Sequence, residues 1–233
     1  SLIPAVSAAL TRQNTLQANR IISSSFRLIA LFSLPAGVGL SVLAQPILQL
    51  LYPAVPDTAA AAAYHLQILG AAAVFVCLMI LTNAILQACG RVYVPIVTAL
   101  IGGAVKISTT YTLCGNPVFG IKGAPISTTA CYAVIAVLNL CVLAAVLGKS
   151  RPRYLPLLCK PALAAALMGG CAHFVFRFLH TAAGLSPQWA VLAAIVLAAS
   201  FYAFLALLLR MVTREDLALI PKGEKIAKIR HSR

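Results

Sequence analysis

Charge is scarce in this sequence. Only 9% of its 233 residues are charged, and just four are carboxylates: Asp57, Glu215, Asp216 and Glu224. A soluble domain carries charge on roughly a quarter of its residues, so an ordinary globular fold is excluded. The four acids fall in loops or the tail, so paired carboxylates for glycoside chemistry are absent. There is no GxSxG and no HExxH. The seven cysteines form no CxxC pair and no Cys/His cluster with zinc spacing. Cys77, Cys89, Cys114, Cys131, Cys141, Cys159 and Cys171 fall mostly inside apolar runs, where they read as small packing residues. His65, His173, His180 and His231 are scattered and read as interfacial or packing residues. No metal, cofactor or enzymatic chemistry is expected. The chain opens on Ser1 without a visible signal peptide, which reads as the interior of a longer polypeptide.

Apolar sequence is what the chain has in abundance: 61% of residues are hydrophobic. A bilayer crossing needs roughly 20 apolar residues, and six runs qualify. They cover about 26–51, 64–88, 92–114, 123–147, 157–179 and 188–212. Residues 1–25 read as a polar, amphipathic connecting segment and 213–233 as a basic tail. Pro35 predicts a kink in the first span, 52–63 reads as a loop, and Gly115-Asn116-Pro117 as a turn. The fold class is therefore all-α integral membrane. Four spans (26–147) are followed by a basic loop and a further pair (148–212).

The net charge of +14 would suggest nucleic acid in a soluble protein. Here the cations sit between spans, and no basic stripe with interleaved aromatics occurs, so nucleic acid is not an expected partner. Of the eighteen Lys and Arg, fifteen fall on one side of the alternating spans. These are Arg12, Arg20, Arg27, Arg91, Lys149, Arg151, Arg153, Lys160, Arg210 and the six of the tail. The other side receives Lys122 and Arg177. This bias places the first side in the cytoplasm, with both chain ends there.

Lys106 is the remaining cation, and it lies mid-span. An ammonium near the bilayer centre costs at least a few kcal/mol and must face protein or a watery cavity. No Asp or Glu of this chain lies at that depth. Its counter-charge must come from elsewhere in a longer protein, from water, or from an anionic ligand. A plain packing role against backbone carbonyls is the competing reading. Gly102 and Gly103 precede it by a turn, and Thr109 and Thr110 follow on its face. Neighbouring spans carry Asn83 and Gln87, then Thr128, Tyr132 and Asn139, at helical spacing. Each pair alone fits interhelical hydrogen bonding. Together with Lys106 they predict a hydrated inner face. The lack of intramembrane acids argues that proton or sodium coupling, if present, resides elsewhere.

Several stretches resemble one family. Ser1-Leu2-Ile3-Pro4-Ala5-Val6-Ser7, Leu34-Pro35-Ala36-Gly37-Val38-Gly39-Leu40, Pro46-Ile47 and Leu50-Leu51-Tyr52 occur in order. Ala84-Ile85-Leu86-Gln87-Ala88-Cys89-Gly90, Pro95, Gly120 to Thr128, and Leu219-Ile220-Pro221 follow. The ordered set resembles the polysaccharide-biosynthesis and stage V sporulation protein B group. That group belongs to the multidrug/oligosaccharidyl-lipid/polysaccharide exporter superfamily, which includes the lipid II flippase. Pro125 replaces the small residue usual there, and Lys106 falls where the group carries an intramembrane lysine.

The resemblance implies a fold of two pseudo-symmetric lobes, of which this chain supplies part of the second plus an extra C-terminal helix pair. It implies a flippase for undecaprenyl-linked cell-wall or polysaccharide precursors in the bacterial cytoplasmic membrane. A fragment lacking the N-terminal lobe would not transport alone. The partners implied are the lipid-linked anionic sugar, membrane lipids and the missing lobe. Lys106 would bind the pyrophosphate and Arg27 assist at the cytoplasmic mouth. Asn83, Gln87, Thr109 and Thr128 would bind sugar hydroxyls. The alternatives are a multidrug or cation antiporter of the same superfamily, and a non-transporting scaffold or degenerate remnant.

Overall fold

The computed structural model describes residues 6–8, 15–148, 154–181, 186–209 and 211. The motif at residues 1–5, the cations of the 149–153 loop and the basic tail lie outside the described residues. Among those described, all regular structure is helical. The elements are α1 (Thr15–Val42), α2 (Ala44–Leu51), α3 (Pro56–Ala88), α4 (Tyr93–Cys114), α5 (Gly123–Leu147), α6 (Tyr154–Thr181) and α7 (Pro187–Leu208), with a single 3₁₀ turn at Gly120–Lys122. Six of the helices are long and apolar enough to cross a membrane. The protein is an all-α, multi-pass integral membrane protein. The turn at Arg91 lies at one end of the bundle, and Lys122 and the Thr181 end of α6 lie at the other.

Two helices start earlier than hydropathy suggests. α1 begins at Thr15, well before Phe26, because Gln17, Asn19 and Arg20 continue a helix without being apolar. α3 begins at Pro56 rather than Tyr64. Proline suits the first helical turn, Asp57 complements the positive end of the helix dipole, and Ala59–Ala63 are strong helix formers. Hydropathy reports where lipid contact begins, not where helical backbone does.

The two prolines of the first span play different structural parts. α1 runs unbroken through Pro35, and the interruption falls at Leu43. Pro46 explains it, since a proline ring clashes with the carbonyl four residues back, here Val42. Pro35 instead leaves the Leu31 carbonyl without its usual donor. The Tyr202 hydroxyl of α7 donates to that carbonyl at 2.8 Å, in a buried position.

The core has two parts. Ile22, Phe26, Leu78, Leu81, Ile85, Leu86 and Leu143 join α1, α3 and α5. Leu31, Leu43, Ala164, Met168, Ala198 and Tyr202 join α1 to α6 and α7. Close approach of α1 and α3 depends on glycine: a Cβ on Gly37 would sit 2.7 Å from the Gly70 carbonyl oxygen. Beside that crossing the Ser41 hydroxyl donates to the Gln67 carbonyl at 2.8 Å. The α3–α4 turn closes on Gly90 at φ +77°, where the Arg91 N–H reaches the Leu86 carbonyl at 2.9 Å.

Candidate functional site

The sequence-predicted residues divide between two levels of the bundle. The register comes from α4 and α5, which run antiparallel. Thr98 donates to the Asn139 side-chain oxygen at 2.8 Å. Asn139 is fully buried, and its amide donates to Asn83 Oδ1 at 2.7 Å and to Thr82 Oγ1 at 3.2 Å. One side chain on α5 thus ties α3 and α4. Asn83, expected to serve a ligand, is half-buried and holds this knot. Gln87 lies one turn further along α3 and is exposed.

Arg27 falls at the same level. Gly37 opposes Gly70, so ten residues back along α1 and ten on along α3 set Arg27 against Ile80. Arg27 is half-buried, about 12 Å from the Ala88 end of α3.

The second level lies toward the Lys122 end. Eleven residues on from Thr98 and eleven back from Asn139 are Thr109 and Thr128, so these two are level. Lys106 lies eight residues, or about 12 Å, beyond Thr98 along the axis. It sits one turn from Gly102, whose missing side chain lets α4 close onto Ile135 of α5. Lys106 therefore flanks the α4–α5 seam. Ala99, Gly103, Lys106 and Thr110 follow at spacings of four, three and four, and form one flank of the helix. A Cβ on Gly103 would meet nothing within 4 Å, so this flank is furrowed around the lysine. Leu100, Ile107 and Tyr111 project from the far side and are strongly exposed. Lys106 itself is exposed on the surface of this chain.

The hydroxyls near Lys106 are engaged locally. Thr109 donates to its own helix, with the Val105 carbonyl at 2.7 Å and the Lys106 carbonyl at 3.2 Å. Thr128 donates to the Ala124 carbonyl at 3.0 Å. Both oxygens still have lone pairs with which to accept. Among the described residues no group of His, Cys, Asp and Glu is arranged to hold a metal.

Sequence reasoning missed Thr82 and Thr98 as partners of Asn139. Both are ordinary residues in an apolar run, and only the helix register shows that they meet. It also missed an apolar groove of about 670 Å³ between α1, α2, α6 and α7, lined by Phe32, Pro35, Leu40, Met168, Ile195 and Tyr202 among others.

These features define a helical membrane protein with a cation beside an interhelical seam and a separate apolar groove. The class is that of a multi-pass helical membrane protein. The chain belongs to the lipid II flippase MurJ family, which matches residues 1–200. It is also 28% identical over 236 residues to the uncharacterized membrane protein YabM of Bacillus subtilis (strain 168). That similarity covers 100% of this chain and 43% of the relative, so the chain spans less than half the relative's length. No solved structure matches the chain.

Proposed function

We propose that this chain is part of a flippase that carries an undecaprenyl-pyrophosphate-linked sugar across the bacterial cytoplasmic membrane. The rest of the translocation path would come from the additional polypeptide that the longer relative carries. The observation that carries the reading is Lys106 on a furrowed flank of α4, in mid-span, with no carboxylate at its depth, since Asp57 stands in the first turn of α3. An unpaired cation in that position favours an anionic guest. The pyrophosphate is such a guest, and Lys106 binds it. Thr109 and Thr128, level with each other about one turn away, accept hydrogen bonds from sugar hydroxyls. Arg27, Asn83 and Gln87 act at the other level, where the headgroup enters. The apolar groove beside α6 and α7 suits the polyprenyl tail, which has no polar group to satisfy. Rocking of one lobe against the other supplies the movement. By the charge bias, the Arg91 end faces the cytoplasm. No covalent step and no cofactor are involved.

Complementation of a flippase-depleted strain tests this reading, with the chain in its full-length context. Lys106→Ala lowers transport at least about tenfold at unchanged membrane abundance, since a charge-assisted contact to phosphate is lost. Lys106→Arg restores most of it. Full complementation by Lys106→Ala would refute the assignment.

A further inference from the structure

A second group of polar side chains, one arginine and two histidines, lies outside this site. Along α6, Ala162, Ala166, Gly170, His173, Arg177 and His180 follow at spacings of four, four, three, four and three residues. All six are exposed. They face away from Ala165, Met168 and Ala172, which pack into the core. Such an orientation is unusual, because ionisable residues of membrane helices almost always face protein or water. Arg177 also stands at the end of the bundle that carries few cations.

The shape around these residues is specific. Leu163, Leu167, Phe174 and Phe178 form an exposed ridge along the neighbouring row of α6. The two phenylalanine rings stack with centroids 6.4 Å apart. Beside the ridge Ala162, Ala166 and Gly170 form a furrow, and a Cβ on Gly170 would meet nothing within 4 Å. The His180 ring is held against Phe176, with centroids 5.8 Å apart and planes 13° from parallel. Arg177 lies about 6 Å inside the Thr181 end of the helix, and the furrow runs about 16 Å from His173 to Ala162. That length matches one leaflet, half of a hydrocarbon core about 30 Å thick.

We propose that this face of α6 is a binding site for an anionic phospholipid. Arg177 takes the headgroup phosphate through its guanidinium fork, with His173 and His180 on either side as further donors. One acyl chain lies in the furrow against the leucine–phenylalanine ridge. The headgroup offsets the cost of presenting arginine outward at this depth, and lipid occupancy fixes the outer face of the α6–α7 pair.

Photo-crosslinking tests the site. The full chain is reconstituted into phosphatidylcholine vesicles containing a minor fraction of photoactivatable phosphatidylglycerol, and the labelled peptides are mapped. Crosslinks are expected to concentrate on residues 162–180. Arg177→Gln lowers labelling there about fivefold, the worth of one basic residue at a membrane surface. Arg177→Lys restores most of it, and Arg91→Gln at the other end of the bundle leaves it unchanged. Gly170→Leu, which fills the furrow, also lowers it. His173→Gln gives a smaller loss and serves if Arg177→Gln fails to insert. Photoactivatable phosphatidylcholine labels the helices evenly, and added inorganic phosphate does not compete. Equal concentration of both lipids on 162–180, unchanged labelling in Arg177→Gln, or displacement by free phosphate would overturn the proposal. So would protection of the face by other polypeptide in the full-length protein.

Discussion

Around α3, α4 and α5, the helices are joined by a buried amide, with Asn139 bonded to Thr82, Asn83 and Thr98. Around α1, α6 and α7, they meet through alanines and glycines, beside an open apolar groove. A polar tie runs there from Tyr202 to the carbonyl that Pro35 leaves unserved. Lipid tails are as apolar as a protein core, so burial alone drives little association between membrane helices. Each region must therefore find another source of cohesion. The first uses hydrogen bonds that fix register. The second uses close backbone approach, which leaves room for a groove. A register-fixed region suits a polar site, and a loosely tied pair suits contact with lipid.

Overpacking α1 against α3 should give the largest effect, because both regions depend on α1. Gly70→Leu places atoms where the Gly37 carbonyl and Ser41 lie. A loss of about 3 kcal/mol is expected, at the upper end for overpacking. Thermal unfolding in detergent checks it, and a stable Gly70→Leu would mean that the two helices separate at little cost.

Asn139→Leu comes next. Thr82 and Thr98 keep bonds to the Leu78 and Val94 carbonyls of their own helices, at 2.8 and 3.1 Å. The loss is therefore limited to about 2 kcal/mol, near the upper range for interhelical bonds in membranes. Tyr202→Phe costs less, about 1 kcal/mol, because one carbonyl loses one partner. If Tyr202→Phe proved as costly as Asn139→Leu, the contrast between the two regions would fail.

The membrane class and the number of spans were legible because apolar runs of bilayer length have no other use. Lys106 was legible as an anomaly because its charge contradicts its surroundings. The partner sets were not. Asn139 and Asn83 were visible as polar residues, but Thr98 and Thr82 resemble many apolar-run threonines that bond only their own helix. Which of these faces a neighbour depends on helix rotation, which packing of glycines such as Gly102 decides. Pro35 signalled a bend, yet its main consequence here is a carbonyl met by a tyrosine 171 positions away. The stripe on α6 was hidden because His173 and His180 are unremarkable singly, and only their exposure on Arg177's face groups them.

The smallest expected effect runs in the opposite direction. The Ser33 hydroxyl of α1 is buried and has no hydrogen-bond partner. Ser33 lies one turn before Gly37, on the side that meets α3. Leaving such a group unmet costs stability, and removing it with almost no change in volume recovers part of that cost. Ser33→Ala should therefore raise stability by up to about 1 kcal/mol, seen as a small upward shift in detergent melting. A clear loss in Ser33→Ala would mean instead that the hydroxyl bonds a group this chain does not supply. The same measurement in the full-length protein would then locate that acceptor, because the loss would appear only when the additional polypeptide is present.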